Sequence, residues 1–125
     1  MRLREEILAA GMTPAVARRF AESLRDVALS DGRMGSAELV AVESLIDSIT
    51  AADDDVAPAP IDALMPYREL FLRTCIYLCV VDGAYGVEEA RAVSELAHRL
   101  GLSSHRLAAV EEEVFQALTA LAAGR

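Results

Sequence analysis

The chain contains no lysine and no tryptophan, and aromatic residues make up only 5% of its 125 residues. Every strongly basic residue is therefore an arginine. Acidic residues outnumber lysine and arginine together by 20 to 12, which gives a formal net charge of −8. Proteins that bind nucleic acid or anionic membranes need a basic surface. We therefore expect neither nucleic-acid binding nor direct membrane insertion.

Long apolar runs are missing as well. The longest apolar stretch, Leu70–Val81, is interrupted by Arg73 and Thr74. As a helix it would span only about 18 Å, whereas the hydrocarbon core of a bilayer is about 30 Å thick. The stretch therefore predicts a buried helix. The first residues carry mixed charge and precede no apolar signal-peptide core, so we expect a cytoplasmic protein, most simply a bacterial one.

Cysteine is scarce, and its spacing favours no special chemistry. Cys75 and Cys79 stand four residues apart on the same predicted helix, which is poor geometry for a disulfide and differs from the C-x-x-C of zinc and redox sites. We predict that both are small buried hydrophobes, as in a reducing compartment. The chain also has no glycine-rich phosphate loop and no local serine–histidine motif, so we expect no enzyme activity.

The residues that are present predict an all-α fold. At 125 residues the chain suits one domain, 1–125, and 54% of its residues are hydrophobic. Apolar residues recur at helical spacing almost throughout, without the alternation of a strand. This pattern predicts a bundle of about six helices. One predicted helix includes Pro66–Val81 and starts either there or earlier, near Ile61. It is apolar nearly all round, which is typical of a central helix packed on several sides.

Helix ends are marked by short local signals. Thr13-Pro14 predicts a helix start, because threonine caps free amides and proline at the first position lacks an amide that would go unpaired. Gly101-Leu102 predicts a left-handed helix end, and Ser103 or Ser104 predicts the cap of the last helix. The helix between Gly86 and Gly101 carries an apolar stripe: Val87, Ala90, Val93, Leu96, Ala97 and Leu100.

An internal repeat relates residues 27–45 to residues 78–96 at an offset of 51 positions. The shared pattern is D-G-x-h-G-x-x-E, where h is apolar, and each copy falls between a predicted helix end and a helix start. The matched pairs are Asp31 with Asp82, Gly32 with Gly83, Gly35 with Gly86, Glu38 with Glu89, Val42 with Val93 and Leu45 with Leu96.

This repeat predicts a duplicated helix–turn–helix unit within the single domain. The acidic, proline-containing stretch between the copies predicts a loop. The predicted divisions are repeat one at about 14–51, an acidic linker at 52–60, repeat two at about 61–102 and a C-terminal helix at 104–123.

Two interpretations of the repeated motif stay open. In the first, the glycines end one helix, and Glu38 and Glu89 cap the next, each reaching back to an amide three residues earlier. In the second, Asp31, Glu38, Asp82 and Glu89 bind a divalent cation. Calcium prefers six or more oxygen ligands, and each copy supplies only two shared carboxylates. A cation site would therefore be weak, and we expect no other cofactor.

The doubled motif resembles that of the tellurite-resistance TerB-like family. Residues 80–89, followed by Leu96–Ser103, are similar to the family's usual A-D-G-x-I-x-x-x-E, helix and L-G-L-S. The resemblance covers roughly Arg25–Ser103. It implies a duplicated all-α domain, a link to tellurite and other chemical stress, association with divalent metals such as calcium, and a non-enzymatic interaction role. Arg33 and Ala84 stand where the family often has an acid, which removes oxygens that a metal would use.

Two runs of acids lie outside the motif. Glu111–Glu113 predicts a solvated face of the last helix, and Asp53, Asp54 and Asp55 place dense negative charge in the linker. Such charge attracts basic partners. The sequence thus predicts a non-enzymatic protein-interaction module in a bacterial stress response, with a basic protein partner bound at the linker. The alternative is a weak, calcium-type cation sensor that uses the two Asp-Gly loops.

Overall fold

The computed structural model describes residues 3–28, 44, 57–81 and 86–123, and this part of the chain is helical, without a strand. This confirms the predicted all-α class. The elements are α1 (Leu3–Ala9), α2 (Pro14–Ala28), a 3₁₀-helix (Ile61–Tyr67), α3 (Arg68–Val81), α4 (Val87–Arg99) and α5 (Ser104–Ala123). In the described ranges no helix is long and apolar enough to cross a membrane.

Part of the predicted organisation lies outside the described residues. The predicted third helix is represented only by Ser44, which is helical. The first copy of the repeated motif and most of the acidic linker also fall outside, so the number of helices and the duplication remain predictions. Of the linker, residues 57–60 are described, and they form no regular secondary structure.

The start of α2 and the start of α5 follow the predicted caps. The amide of Val16 donates to Thr13 Oγ1 at 3.4 Å, and α2 begins at Pro14. The amide of Arg106 donates to Ser103 Oγ at 3.1 Å, which makes Ser103 the cap of α5. Each side-chain oxygen accepts a hydrogen bond from a backbone amide of the first helical turn, which has no carbonyl partner within the helix.

The end of α4 is a left-handed turn at Gly101, as predicted. Gly101 has a φ of +79°, which a residue without a Cβ adopts at little cost. The amide of Leu102 donates to the Ala97 carbonyl at 2.8 Å, and the amide of Gly101 donates to the His98 carbonyl at 3.1 Å. This pair of bonds is the Schellman arrangement. Leu102 is buried just after the turn, so the turn directs the chain back onto the core.

The helix α3 is the centre of the fold. It packs against α1, α2, α4, α5 and the 3₁₀-helix, which confirms that this segment is the central helix. Five of its apolar side chains are buried: Phe71, Leu72, Cys75, Ile76 and Cys79. The Phe71 ring meets that of Phe20 from α2 edge to face, with centroids 5.2 Å apart.

Helical winding in the central segment begins at Ile61, the earlier of the two predicted starts, but its first part is a 3₁₀-helix. Pro66 lies inside that 3₁₀-helix, and α3 begins at Arg68. Proline has no amide to donate and clashes with the preceding turn of an α-helix. The tighter 3₁₀ winding accommodates it, and the amide of Arg68 then donates to the Met65 carbonyl.

The predicted apolar stripe of α4 is wrong at its first residue. Val93, Ala97 and Leu100 are buried, but Val87 is 75% exposed. Val87 lies six residues before Val93, which at about 100° per residue turns it roughly 120° away from the buried face. Val87 therefore does not belong to the buried stripe of α4.

Both cysteines are free and buried, as predicted. Burial raises the pKa of the Cys75 thiol well above its ordinary value of 9.0, and the neighbouring Cys79 raises that pKa further. The thiol is therefore neutral and inert in the folded protein at neutral pH.

Candidate functional site

The one described residue of the predicted cation set is Glu89, and it lies at the start of α4. Gly86 is the extended N-cap residue, with φ −87° and ψ −172°. The amide of Gly86 donates to Glu89 Oε1 at 3.4 Å, and the amide of Ala90 donates to the Gly86 carbonyl at 3.0 Å. The carboxylate of Glu89 thus caps its own helix, which is the contact that the motif spacing predicts.

The burial of Glu89 limits the access of a ligand to its carboxylate oxygens. The residue is only 3% exposed, and one of its oxygens faces the Gly86 amide. The free amides at a helix N-terminus carry partial positive charge, which stabilises a carboxylate there and offsets part of the cost of burying it. This geometry suits a structural role in the first turn of α4.

The other predicted ligands, Asp31, Glu38 and Asp82, lie outside the described residues. In the described ranges no three histidine, cysteine, aspartate or glutamate side chains form a group that could hold a metal ion. The two histidines, His98 and His105, are both exposed. A cation at the Asp-Gly loops stays a prediction from the sequence.

The cap predicts the effect of removing Glu89. The Glu89→Ala variant should lose about 1 kcal/mol of unfolding free energy, since the Gly86 amide loses its acceptor. Urea denaturation followed by circular dichroism measures this loss. We expect the same loss in EDTA and in millimolar calcium, because the carboxylate acts on an amide of its own chain.

Glu88→Ala is the matched control for Glu89→Ala. Glu88 lies in the same first turn but is exposed, so its replacement removes the same charge from the same helix end. We expect a smaller loss of stability for Glu88→Ala. If Glu89→Ala destabilised the protein only when calcium is present, the carboxylate would be a metal ligand and the capping role would be wrong.

The predicted partner-binding residues, Asp53, Asp54 and Asp55, also lie outside the described residues. The structure does show where their linker rejoins the fold. The amide of Ala59 donates to the Ala15 carbonyl at 3.0 Å, and Arg19 Nε donates to the Ala59 carbonyl at 2.6 Å. The last residues of the linker are therefore held against the first turns of α2.

A surface groove beside the 3₁₀-helix was not predicted from the sequence. Its wall contains Met65, which is 42% exposed, together with the exposed Pro66. Partly buried side chains of Tyr67 and Leu70 complete the apolar lining, and Ala10 closes the side toward α1. The local signal for the groove was the sequence Met-Pro-Tyr, where 3₁₀ winding changes to α-helix. A 3₁₀-helix has fewer residues per turn, so its side chains do not continue the buried face of the α-helix that follows.

Two lining residues of this groove, Arg68 and Glu69, make polar contacts with other parts of the fold. Arg68 Nη1 donates to the Leu100 carbonyl at 3.3 Å, next to the Gly101 turn. Arg106 donates to the Glu69 carboxylate through Nε at 3.1 Å and also through Nη2. That hydrogen bond lowers the pKa of Glu69, so the carboxylate stays charged at neutral pH. The groove therefore combines an apolar lining with one paired carboxylate, Glu69.

No family model, curated protein or solved structure matches this chain. The resemblance to the TerB-like family rests on the repeated loop motif itself.

Proposed function

We propose that this chain is a non-enzymatic, TerB-like protein-interaction module that acts in a bacterial response to tellurite or another chemical stress, and that its partner is a basic protein. The observation that carries the proposal is the groove lined by Met65, Pro66, Tyr67 and Leu70. Flexible methionine and aromatic side chains that stay partly exposed are typical of surfaces that bind other proteins.

The charge of the chain supports a basic partner. With a net charge of −8, the protein attracts cationic surfaces over a distance of about one Debye length and speeds their encounter. The linker acids Asp53, Asp54 and Asp55 add to this attraction. Apolar contact in the groove then supplies affinity that salt does not screen.

The capping role of Glu89 supports the non-enzymatic part of the proposal. The carboxylate in the second copy of the motif satisfies an amide of its own helix, so helix capping accounts for this motif residue without any reaction chemistry.

Affinity capture from the source cell tests the proposal. We expect the wild-type protein to retain a partner of high isoelectric point at low salt. The Met65→Arg variant should lose that partner, because it replaces an apolar contact by a like charge. The triple variant Asp53→Arg, Asp54→Arg, Asp55→Arg should retain it only weakly. The purified partner would then be titrated against each variant by calorimetry.

Val87→Arg is the matched control for Met65→Arg, because Val87 is an exposed apolar residue at the start of α4, away from the groove. It adds the same charge to the surface and should leave capture unchanged. Equal retention by Met65→Arg and wild type would overturn the assignment of the groove. Capture of an acidic protein would contradict the proposal that the partner is basic.

A further inference from the structure

A second cavity of about 370 Å³ lies between α2, the end of α4 and the start of the 3₁₀-helix. We call it the α2–α4 cleft. Three of its side chains, Arg19, Ser23 and Asp26, follow one another at steps of four and three residues, which places them on one face of α2. Its lining is Arg19, Ser23, Asp26, Pro60, Ile61, Leu96 and Arg99.

Ser23 places a hydroxyl in the wall of the α2–α4 cleft. The residue is only 4% exposed, yet within the described part of the chain its hydroxyl makes no hydrogen bond. The hydroxyl oxygen is not one of the fully buried, unpaired side-chain atoms of the described residues, so it is open to solvent in the cleft. Because Ser23 lines the cleft, its hydroxyl is available to a molecule that enters there.

Two arginines, Arg19 and Arg99, line the cleft together with Ser23. Arg19 is held in place by its Nε, which donates to the Ala59 carbonyl at 2.6 Å. Arg99 approaches from α4, and its Nε lies 3.9 Å from Asp62 Oδ1, with both side chains more than 60% exposed. An exposed ion pair at this distance contributes little stability, so Arg99 can turn to a ligand. The planar guanidinium group matches a carboxylate.

Asp26 decides which kind of anion fits. Its exposed carboxylate lies almost one helical turn beyond Ser23, so a simple anion bound over Ser23 would meet a like charge. A ligand that carries an ammonium group next to its carboxylate would instead pair with Asp26. Leu96 and Ile61, both partly buried, offer an apolar wall, and the volume lies at the small end of ligand sites.

We propose that the α2–α4 cleft binds a free α-amino acid with an apolar side chain. The carboxylate of the ligand accepts hydrogen bonds from Arg19, Arg99 and the Ser23 hydroxyl. The ammonium group donates to Asp26, and the side chain packs on Leu96 and Ile61. This site is separate from the groove at Met65–Leu70, so it goes beyond the proposed interaction function and does not depend on it.

Titration with L-leucine, followed by NMR of the backbone amides, tests the proposal. We expect leucine to shift amides of α2 and α4 around the cleft. Isocaproate lacks the ammonium group and isoamylamine lacks the carboxylate, so each should bind at least about tenfold more weakly than leucine. No shift at about 10 mM leucine, which is ten times a Kd of about 1 mM, would overturn the proposal. Tighter binding of inorganic phosphate than of leucine would also overturn it.

Three variants assign the contacts. Arg99→Gln should weaken leucine binding about tenfold, the value of one charge-assisted hydrogen bond. Ser23→Ala should also weaken it, with no loss of folding stability, because the hydroxyl has no partner in the folded chain. Asp26→Asn should abolish the preference for leucine over isocaproate.

Arg91→Gln is the matched control for Arg99→Gln, since Arg91 is an exposed arginine on α4 outside the cleft. It should bind leucine as the wild type does. Unchanged affinity in Arg99→Gln, or an equal loss in Arg91→Gln, would show that leucine binds elsewhere or through net charge alone.

Discussion

The Phe71→Ala variant is expected to lose about 3–5 kcal/mol of unfolding free energy. Phe71 is fully buried in the central helix, and its ring packs edge to face on Phe20. Removal of the ring takes away its transfer free energy and leaves a cavity that the surrounding helices fill only in part. Since domains of this size are commonly stable by about 5–15 kcal/mol, the loss is a large fraction of the total. Urea denaturation at neutral pH measures it.

Phe115→Ala is the control for Phe71→Ala. Phe115 is 40% exposed on α5, and its replacement should cost less than about 1 kcal/mol. If Phe71→Ala fails to fold, Phe71→Leu should still fold with a loss of about 1–2 kcal/mol. The double variant with Phe20→Ala should show a coupling of about 0.5–1.5 kcal/mol between the rings. Equal losses for Phe71→Ala and Phe115→Ala would contradict the burial of α3.

The second large effect concerns the reactivity of Cys75. We expect a thiol reagent to modify Cys75 in the native protein at least about a thousandfold more slowly than in the urea-unfolded chain. The thiol is 1% exposed, so reagent reaches it only when the domain opens, and an opening free energy of about 5 kcal/mol makes such states rare. Mass spectrometry of quenched samples measures the rate at each cysteine.

The exposed variant Ser104→Cys provides the internal standard for Cys75. Ser104 lies at the start of α5 with an exposed side chain, so a cysteine there should react at nearly the rate of a free thiol. Modification of Cys75 within tenfold of the rate at position 104 would show that α3 is accessible without global opening.

The raised pKa of Cys75 also predicts a dependence of stability on pH. Since the folded-state pKa is higher than the unfolded value of about 9.0, the buried neutral thiol contributes stability that is fully present below pH 9. That contribution is lost as pH rises above 9 through the folded pKa, because the unfolded chain then releases the proton first. A Cys75→Val variant should show a smaller fall in stability over this alkaline range.

Local signals predicted the helix ends well. Thr13, Ser103 and Gly101 each act within about one turn of their own position, so sequence spacing alone locates the hydrogen bonds that they make. The same holds for Glu89, whose distance of three residues from Gly86 defines a cap. The central position of α3 was also predictable, because only a helix covered on several sides is apolar nearly all round.

Contacts between distant segments were not predictable from spacing. Arg73 Nη1 donates to Glu6 Oε1 at 2.8 Å across 67 positions of sequence, and Arg19 reaches the Ala59 carbonyl across 40 positions. In the sequence pattern, each arginine is equally consistent with a solvent-exposed helix face, so the pattern does not identify its distant partner. The groove at Met65–Leu70 was missed for a related reason, since its lining depends on how the end of α1 meets the 3₁₀-helix.

The central packing of α3 also implies an order of backbone opening. Each outer helix contacts α3 on one side, so fraying of α1 or of the α5 end leaves the remaining flanks of α3 covered. Deuterium should therefore enter the amides of α1 first and those around Leu72 and Ile76 last, through openings whose free energy equals that of whole-domain unfolding. Exchange in the middle of α3 thus reports the global free energy of unfolding, while exchange in the outer helices reports their separate detachment.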